Sequence, residues 1–166
     1  FSQRIDLGDG SPALLSQGRI LLLRPGRVRW EYEDGPAQLV VGDGTWLWVY
    51  QPELEQAYKV SYGSSAVSVM MAVLLGDAGP LEKVYRVSSH DSDGSSVFRL
   101  KSRDGSGPDI ELTTAAAGSE LTAVMVTENS GTRNEMLFTE AVRDGPLDAS
   151  LFSFTPPPGT DVITRR

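Results

Sequence analysis

Ile20-Leu21-Leu22-Leu23-Arg24-Pro25-Gly26-Arg27-Val28-Arg29-Trp30-Glu31-Tyr32 is the stretch on which the reading of this chain turns. Pro-Gly is a corner signal, so the run reads as two strands meeting at Pro25-Gly26. Ile20–Leu23 is apolar on both faces. Beyond the corner the pattern alternates: Arg27, Arg29 and Glu31 point one way, Val28, Trp30 and Tyr32 the other. Arg24 shares the parity of Val28 and Trp30. It is either a surface residue at a bend or an arginine on an apolar face, where a guanidinium stripped of water needs partners.

The same grammar runs outward from this hairpin. Turn signals recur at Asp9-Gly10, Asp34-Gly35-Pro36, Asp43-Gly44, Asp93-Gly94, Asp104-Gly105, Ser130-Gly131 and Asp144-Gly145-Pro146. Asp-Gly supplies the positive φ that tight hairpins need. Between the turns lie β-rich runs at 17–24, 27–33, 38–42, 45–51, 56–62, 85–89, 97–102, 109–114, 121–128 and 133–142. No βαβ rhythm is present, so the sheet is expected to be antiparallel. Ser64–Leu75 interrupts the meander. Val67, Met70, Met71 and Leu74 fall on one helical face, with Ser64 or Ser65 to cap and Gly76 to stop. Val69, Ala72, Val73 and Leu75 make the other side apolar too, so the helix is buried or awaits an apolar partner. Leu81–Tyr85 predicts a short helical turn, as does Asp148–Phe152. Phe154 is expected to pack, and Pro156-Pro157-Pro158 to lie extended across a surface rather than to prolong the sheet.

Composition bounds the function. The 166 residues fit one domain, 40% of them hydrophobic and 22% charged. Net charge is −7, against the basic face that nucleic acid requires. There is no cysteine, hence no disulfide or thiolate chemistry. No apolar run reaches the ~18 residues of a membrane-spanning helix. The chain opens on Phe1 rather than Met, and a signal peptide is neither established nor excluded by it.

No catalytic constellation is visible. His90 is the single histidine, set in the polar run Ser88–Ser96, which reads as a hairpin loop. A Ser/His/Asp set can be written there, but without a Gly-x-Ser-x-Gly elbow or a following helix. Asp91-x-Asp93-Gly94 matches only the first half of a calcium loop. No metal site and no cofactor are expected. Trp30, Tyr32, Trp46, Trp48 and Tyr50 crowd adjacent strands. Trp46 and Trp48 share one face of their strand, and Val28 and Trp30 one face of theirs. The cluster reads either as an aromatic core or, with the four methionines, as the lining of a concavity fit for an acyl chain.

Arg24-Pro25-Gly26 with Trp30 four residues on, followed by Leu39-Val40-Val41-Gly42-Asp43-Gly44-Thr45-Trp46-Leu47-Trp48-Val49-Tyr50, resembles the outer-membrane lipoprotein carrier family of LolA-type periplasmic chaperones. Phe1-Ser2-Gln3 resembles the family's Phe-x-Gln opening, and Phe152-Ser153-Phe154-Thr155-Pro156-Pro157-Pro158-Gly159-Thr160-Asp161-Val162 its ending. The resemblance spans nearly the whole chain. It implies an incomplete, strongly curved antiparallel β-barrel with a helical lid over an apolar cavity, formed by residues 1–166 as one carrier domain. It implies a soluble periplasmic monomer that is not an enzyme. Such a carrier takes the acyl chains of lipoproteins from an inner-membrane ABC transporter and delivers them to an outer-membrane receptor. Arg24 matches the arginine that locks the lid onto backbone carbonyls. Val28 and Trp30 match cavity positions. Together with Trp46, Trp48, Val67, Met70, Met71 and Leu74 they form the expected acyl-chain site.

Two departures matter. The family's Thr-Pro before the lid helix is Ser68-Val69 here. The family's amphipathic helix preceding Phe-x-Gln is not in this chain. Two other functions remain open. One is the same-fold outer-membrane lipoprotein receptor, and the other is a lipid- or peptide-sensing module of an envelope signalling protein.

Overall fold

The computed structural model describes residues 1–34, 37–61, 73–74, 79–115, 120–143 and 145–165. The chain is mainly β, as the alternation and turn spacing predict. Its strands are β1 (Ser2–Asp6), β2 (Leu14–Leu23), β3 (Arg27–Tyr32), β4 (Leu39–Asp43), β5 (Trp46–Gln51), β6 (Gln56–Ser61), β7 (Tyr85–Ser92), β8 (Ser95–Ser102), β9 (Asp109–Thr114), β10 (Leu121–Thr127), β11 (Arg133–Leu137) and β12 (Asp161–Arg165). One short helix, α1 (Gly79–Val84), precedes β7, and 3-10 turns occupy Pro52–Leu54 and Ala149–Phe152. Two compact units emerge: Phe1–Ser16 with Gly79–Ala141, and Gln17–Ala78 with Val142–Arg166.

In the first unit the strand order is β1-β11-β10-β9-β8-β7, antiparallel at every step. Register places Gln3, Met136, Val124, Leu112 and Phe98 in one row, and the buried Leu100 and Ile110 in the next row of that face. The opposite face is charged. Arg99 pairs with Glu111 at 2.7 Å and Lys101 with Asp109 at 3.5 Å. Gln3, the buried polar residue, donates to Asn134 Oδ1 at 2.8 Å and accepts from Ser16 Oγ at 3.1 Å. That satisfies an amide which would otherwise be expensive to desolvate.

In the second unit the order is β12-β6-β5-β4-β3-β2. Leu23 faces Arg27 across the Pro25-Gly26 corner, so the hairpin forms where the sequence placed it. Gly26 has φ +65, and a Cβ built there would stand 3.2 Å from the Cα of Gly44. The two turn glycines therefore touch, and a side chain at Gly26 would be strained in both backbone and packing. Asp43 closes the next turn by accepting from the N–H groups of Thr45 and Trp46, both at 2.7 Å.

Four expectations change. β1 is an ordered strand, although its apolar content is too thin to announce one; its ladder to β11 supplies what its own sequence lacks. β11 stops at Leu137 rather than running to Val142, and Glu140 has φ +54, which no strand tolerates. His90 lies within β7 opposite Val97, not in a loop; the turn is confined to Asp93-Gly94, with φ +48 and +78. The C-terminal segment does cross a surface through its prolines, but then extends the sheet after all. Asp161–Arg165 runs parallel to β6, and Asp161 N–H donates to Glu55 O at 2.8 Å. Prolines prevent pairing only where they stand, and none lies beyond Pro158.

Candidate apolar-ligand site

Cross-strand partners in a sheet share a face, so the register sorts every side chain of the second unit. Val28 faces Leu22 and Gly42; Trp30 faces Ile20 and Val40. Gly42 in turn faces Leu47, Val40 faces Val49, Leu47 faces Val60 and Val49 faces Tyr58. This face is apolar across five strands. Val28 and Leu47 are essentially inaccessible, at 0% and 1% exposure, with Val40 and Trp30 also buried. Trp30 stacks on Tyr32 with ring centroids 5.8 Å apart.

The other face carries Arg29, Val41, Trp48 and Lys59 in one cross-strand row. Trp46 has the parity of Trp48. Lys59 Nζ lies 4.4 Å from the Trp46 ring centroid and 5.1 Å from that of Trp48. These are cation–π distances. Phe154 packs on Trp48 and Tyr50 with centroids 5.6 and 5.4 Å away. Trp46 and Trp48 therefore lie on the opposite face from Val28 and Trp30, and the four tryptophan and valine side chains cannot line one concavity. The sequence signal was two separate parities; only the β3–β4–β5 register shows that they diverge.

Residues 149–154 form a strap on this second face. Asp148 Oδ1 accepts from Ser150 N–H at 2.9 Å and caps the 3-10 turn, as a residue of its type does at a helix start. Phe152 is buried at 2% exposure. Arg29 holds the turn: Nη1 donates to the Leu151 carbonyl at 3.0 Å, while Nε donates to Glu31 Oε1 at 2.6 Å. Glu31 Oε2 accepts from Arg19 Nη2 at 2.7 Å. The Arg19 guanidinium, with Arg29 beside it, holds the Glu31 carboxyl below the usual range against the partial burial that raises it. Alternation alone marks Arg29 as outward. Its role becomes visible only when the C-terminal segment is seen to return over β3.

Arg24 stands exposed at the corner. Leu74 is helical and half-buried. Val67, Met70 and Met71 lie outside the described residues, as does most of the expected helix Ser64–Leu75. Among the described residues no cluster of carboxylates, histidine or cysteine could hold a metal ion. The Asp91 carboxylate accepts from Ser96 Oγ at 2.7 Å. With His90 opposite Val97, the described geometry assembles no Ser/His/Asp triad.

A mainly β chain with one open, non-closed sheet and one broad apolar face has the makings of an apolar-ligand carrier. The description "Outer membrane lipoprotein carrier protein LolA" fits residues 1–155, and the chain belongs to that family. Its members are chaperones rather than enzymes. An outer-membrane lipoprotein carrier protein of Dechloromonas aromatica is 31% identical over 98% of this chain and 78% of its own length. The Chromohalobacter salexigens protein of the same description is 32% identical, again over 98% and 78%. That of Xanthomonas axonopodis pv. citri is 31% identical over 98% and 79%.

Proposed function

We propose that residues 1–166 act as one carrier domain in the periplasm. As a monomer it takes the acyl chains of lipoproteins from an inner-membrane ABC transporter and yields them to an outer-membrane receptor. The observation that carries this reading is the apolar face bearing Val28, Trp30, Val40 and Leu47 in a chain of the carrier family. Burial of each methylene is worth ~0.8 kcal/mol, so a long acyl chain gains enough on such a face to offset its ordering. Val28 and Trp30 form the floor of the site. Val67, Met70, Met71 and Leu74 belong to the same acyl-chain site. Arg24 secures the lid of the empty form through backbone carbonyls. Trp46 and Trp48 support the site from behind, through Lys59 and Phe154.

Native mass spectrometry of freshly purified protein tests the reading. A co-purified acyl-bearing ligand supports it. A chain that carries none, and that does not enhance the fluorescence of an apolar probe, argues against it. Val28→Glu places a carboxylate on the apolar floor and should weaken probe binding at least tenfold. Equal binding by a folded mutant removes Val28 from the site.

A further inference from the structure

β7 ends the sheet of the first unit: it pairs with β8 and, among the described strands, with no other. An edge of this kind leaves alternate main-chain N–H and C=O groups open for another strand, and proteins ordinarily blunt such edges with bulges, prolines or short length. Here the edge is eight residues long. It contains no proline, its register with β8 is unbroken from Tyr85 to Ser92, and every residue after Tyr85 is exposed.

The charges beside it are ordered. Arg86 lies directly opposite Lys101, and Ser88 opposite Arg99. Like charges facing each other across a ladder are destabilising. The carboxylates that neutralise Lys101 and Arg99 are Asp109 and Glu111, on β9, the far side of β8. Arg86 has no ion-pair partner among the described residues. Glu82 on the preceding helix forms no ion pair with it, and Asp91 faces the other way, bonded to Ser96. On this face the sheet thus ends in the basic side chains Arg86, Arg99 and Lys101, on a chain whose net charge is −7, while Asp91 leaves β7 as a whole without net charge. On the opposite face of the same edge, Val87 is 50% exposed.

We propose that β7 is a docking edge for an extended segment of a partner protein, acidic on one face and apolar on the other, which adds to the sheet as a further strand. Its carboxylates lie on the face of Arg86, so that the basic side chains of that face become flanked by acidic ones on both sides. Its apolar residue covers Val87. Main-chain bonds supply the affinity and the two side-chain faces the selectivity. This interaction uses none of the residues assigned to the apolar site and stands or falls apart from the carrier reading.

The probe is the peptide acetyl-Thr-Glu-Val-Glu-Thr-amide, compared with its counterpart carrying lysine for glutamate. Binding is followed by fluorescence anisotropy of labelled peptide and by amide hydrogen exchange across Tyr85–Ser92. The glutamate peptide should slow exchange on alternate residues of β7 and bind at least tenfold more tightly than the lysine peptide. Arg86→Glu, an exposed substitution, should invert that preference while leaving the thermal midpoint within a few degrees. Equal binding of the two peptides, protection confined to other strands, or no change of preference in Arg86→Glu would overturn the proposal. So would dimerisation of the free protein that itself protects β7, since the occupant would then be a second copy.

Discussion

Truncating Phe152 tests whether the C-terminal strap is part of the fold or merely rests on it. Phe152 is 2% exposed and anchors the turn that Arg29 holds by the Leu151 carbonyl. Phe→Ala at a buried site costs ~3–5 kcal/mol. Against a total stability of about 5–15 kcal/mol, that is at least a fifth of the reserve. Leu151, on the same turn, is 36% exposed and keeps much of its surface in water. Leu151→Ala should therefore cost less than ~1.5 kcal/mol. Urea unfolding followed by tryptophan fluorescence reads both, because Trp30, Trp46 and Trp48 all lie on β3 and β5. With a slope of about 2 kcal/mol per molar urea, Phe152→Ala should lower the midpoint by roughly 1.5–2.5 M and Leu151→Ala by under 0.8 M. A shift below about 0.5 M for Phe152→Ala, or equal shifts for the two variants, would show that the strap adds nothing specific.

Gly26→Ala should destabilise by ~2 kcal/mol, combining the ~1–2 kcal/mol of a left-handed alanine with the contact to Gly44. Gly94→Ala, whose Cβ would meet nothing within 4 Å, is the control, and thermal melts that rank the two equally discount the contact. Arg24→Leu should bind an apolar probe more tightly and transfer it more slowly, by ~10- to 150-fold, if it removes lid bonds worth ~1.5–3 kcal/mol from the empty form. Weaker or unchanged binding by a folded mutant rules that role out. Asp104 accepts from Ser106 N–H, Ser102 Oγ and Ser106 Oγ, which hold its pKa at about 2 against an ordinary 3.8. A depressed carboxyl stabilises the fold above its unfolded value and ceases to do so as pH falls through the folded one. The Ser106 amide resonance should accordingly move with a midpoint near 2, and a midpoint near 3.8 would mean that the three bonds do not hold in solution.

The hairpins were legible because their information is local. Asp109–Thr114 and the corner at Pro25-Gly26 stand where alternation and turn chemistry put them. What escaped was set by partners distant in the chain. Ser2–Asp6 is a strand because Arg133–Leu137 lies beside it, and Asp161–Arg165 because β6 does. For the site, the parities of Val28/Trp30 and Trp46/Trp48 were both readable. Which of them coincide depends on the ladder through β4, which no residue type reveals. Arg29 looked like one more outward charge, because its acceptor, the Leu151 carbonyl, carries no side-chain signature at all.

The pairing of β12 with β6 also bears on when the protein can acquire its shape. β6 receives its outer neighbour from residues 161–165, and β1 waits for residues 133–137. A chain emerging from a ribosome could form the Pro25-Gly26 hairpin early, yet β1 would lack β11 until Arg133–Leu137 had followed it, and β6 would lack its outer neighbour until Asp161–Arg165 had. Contacts so distant in sequence close slowly. Late closure of these two ladders leaves the earlier strands without their neighbours while the rest of the chain is still being made.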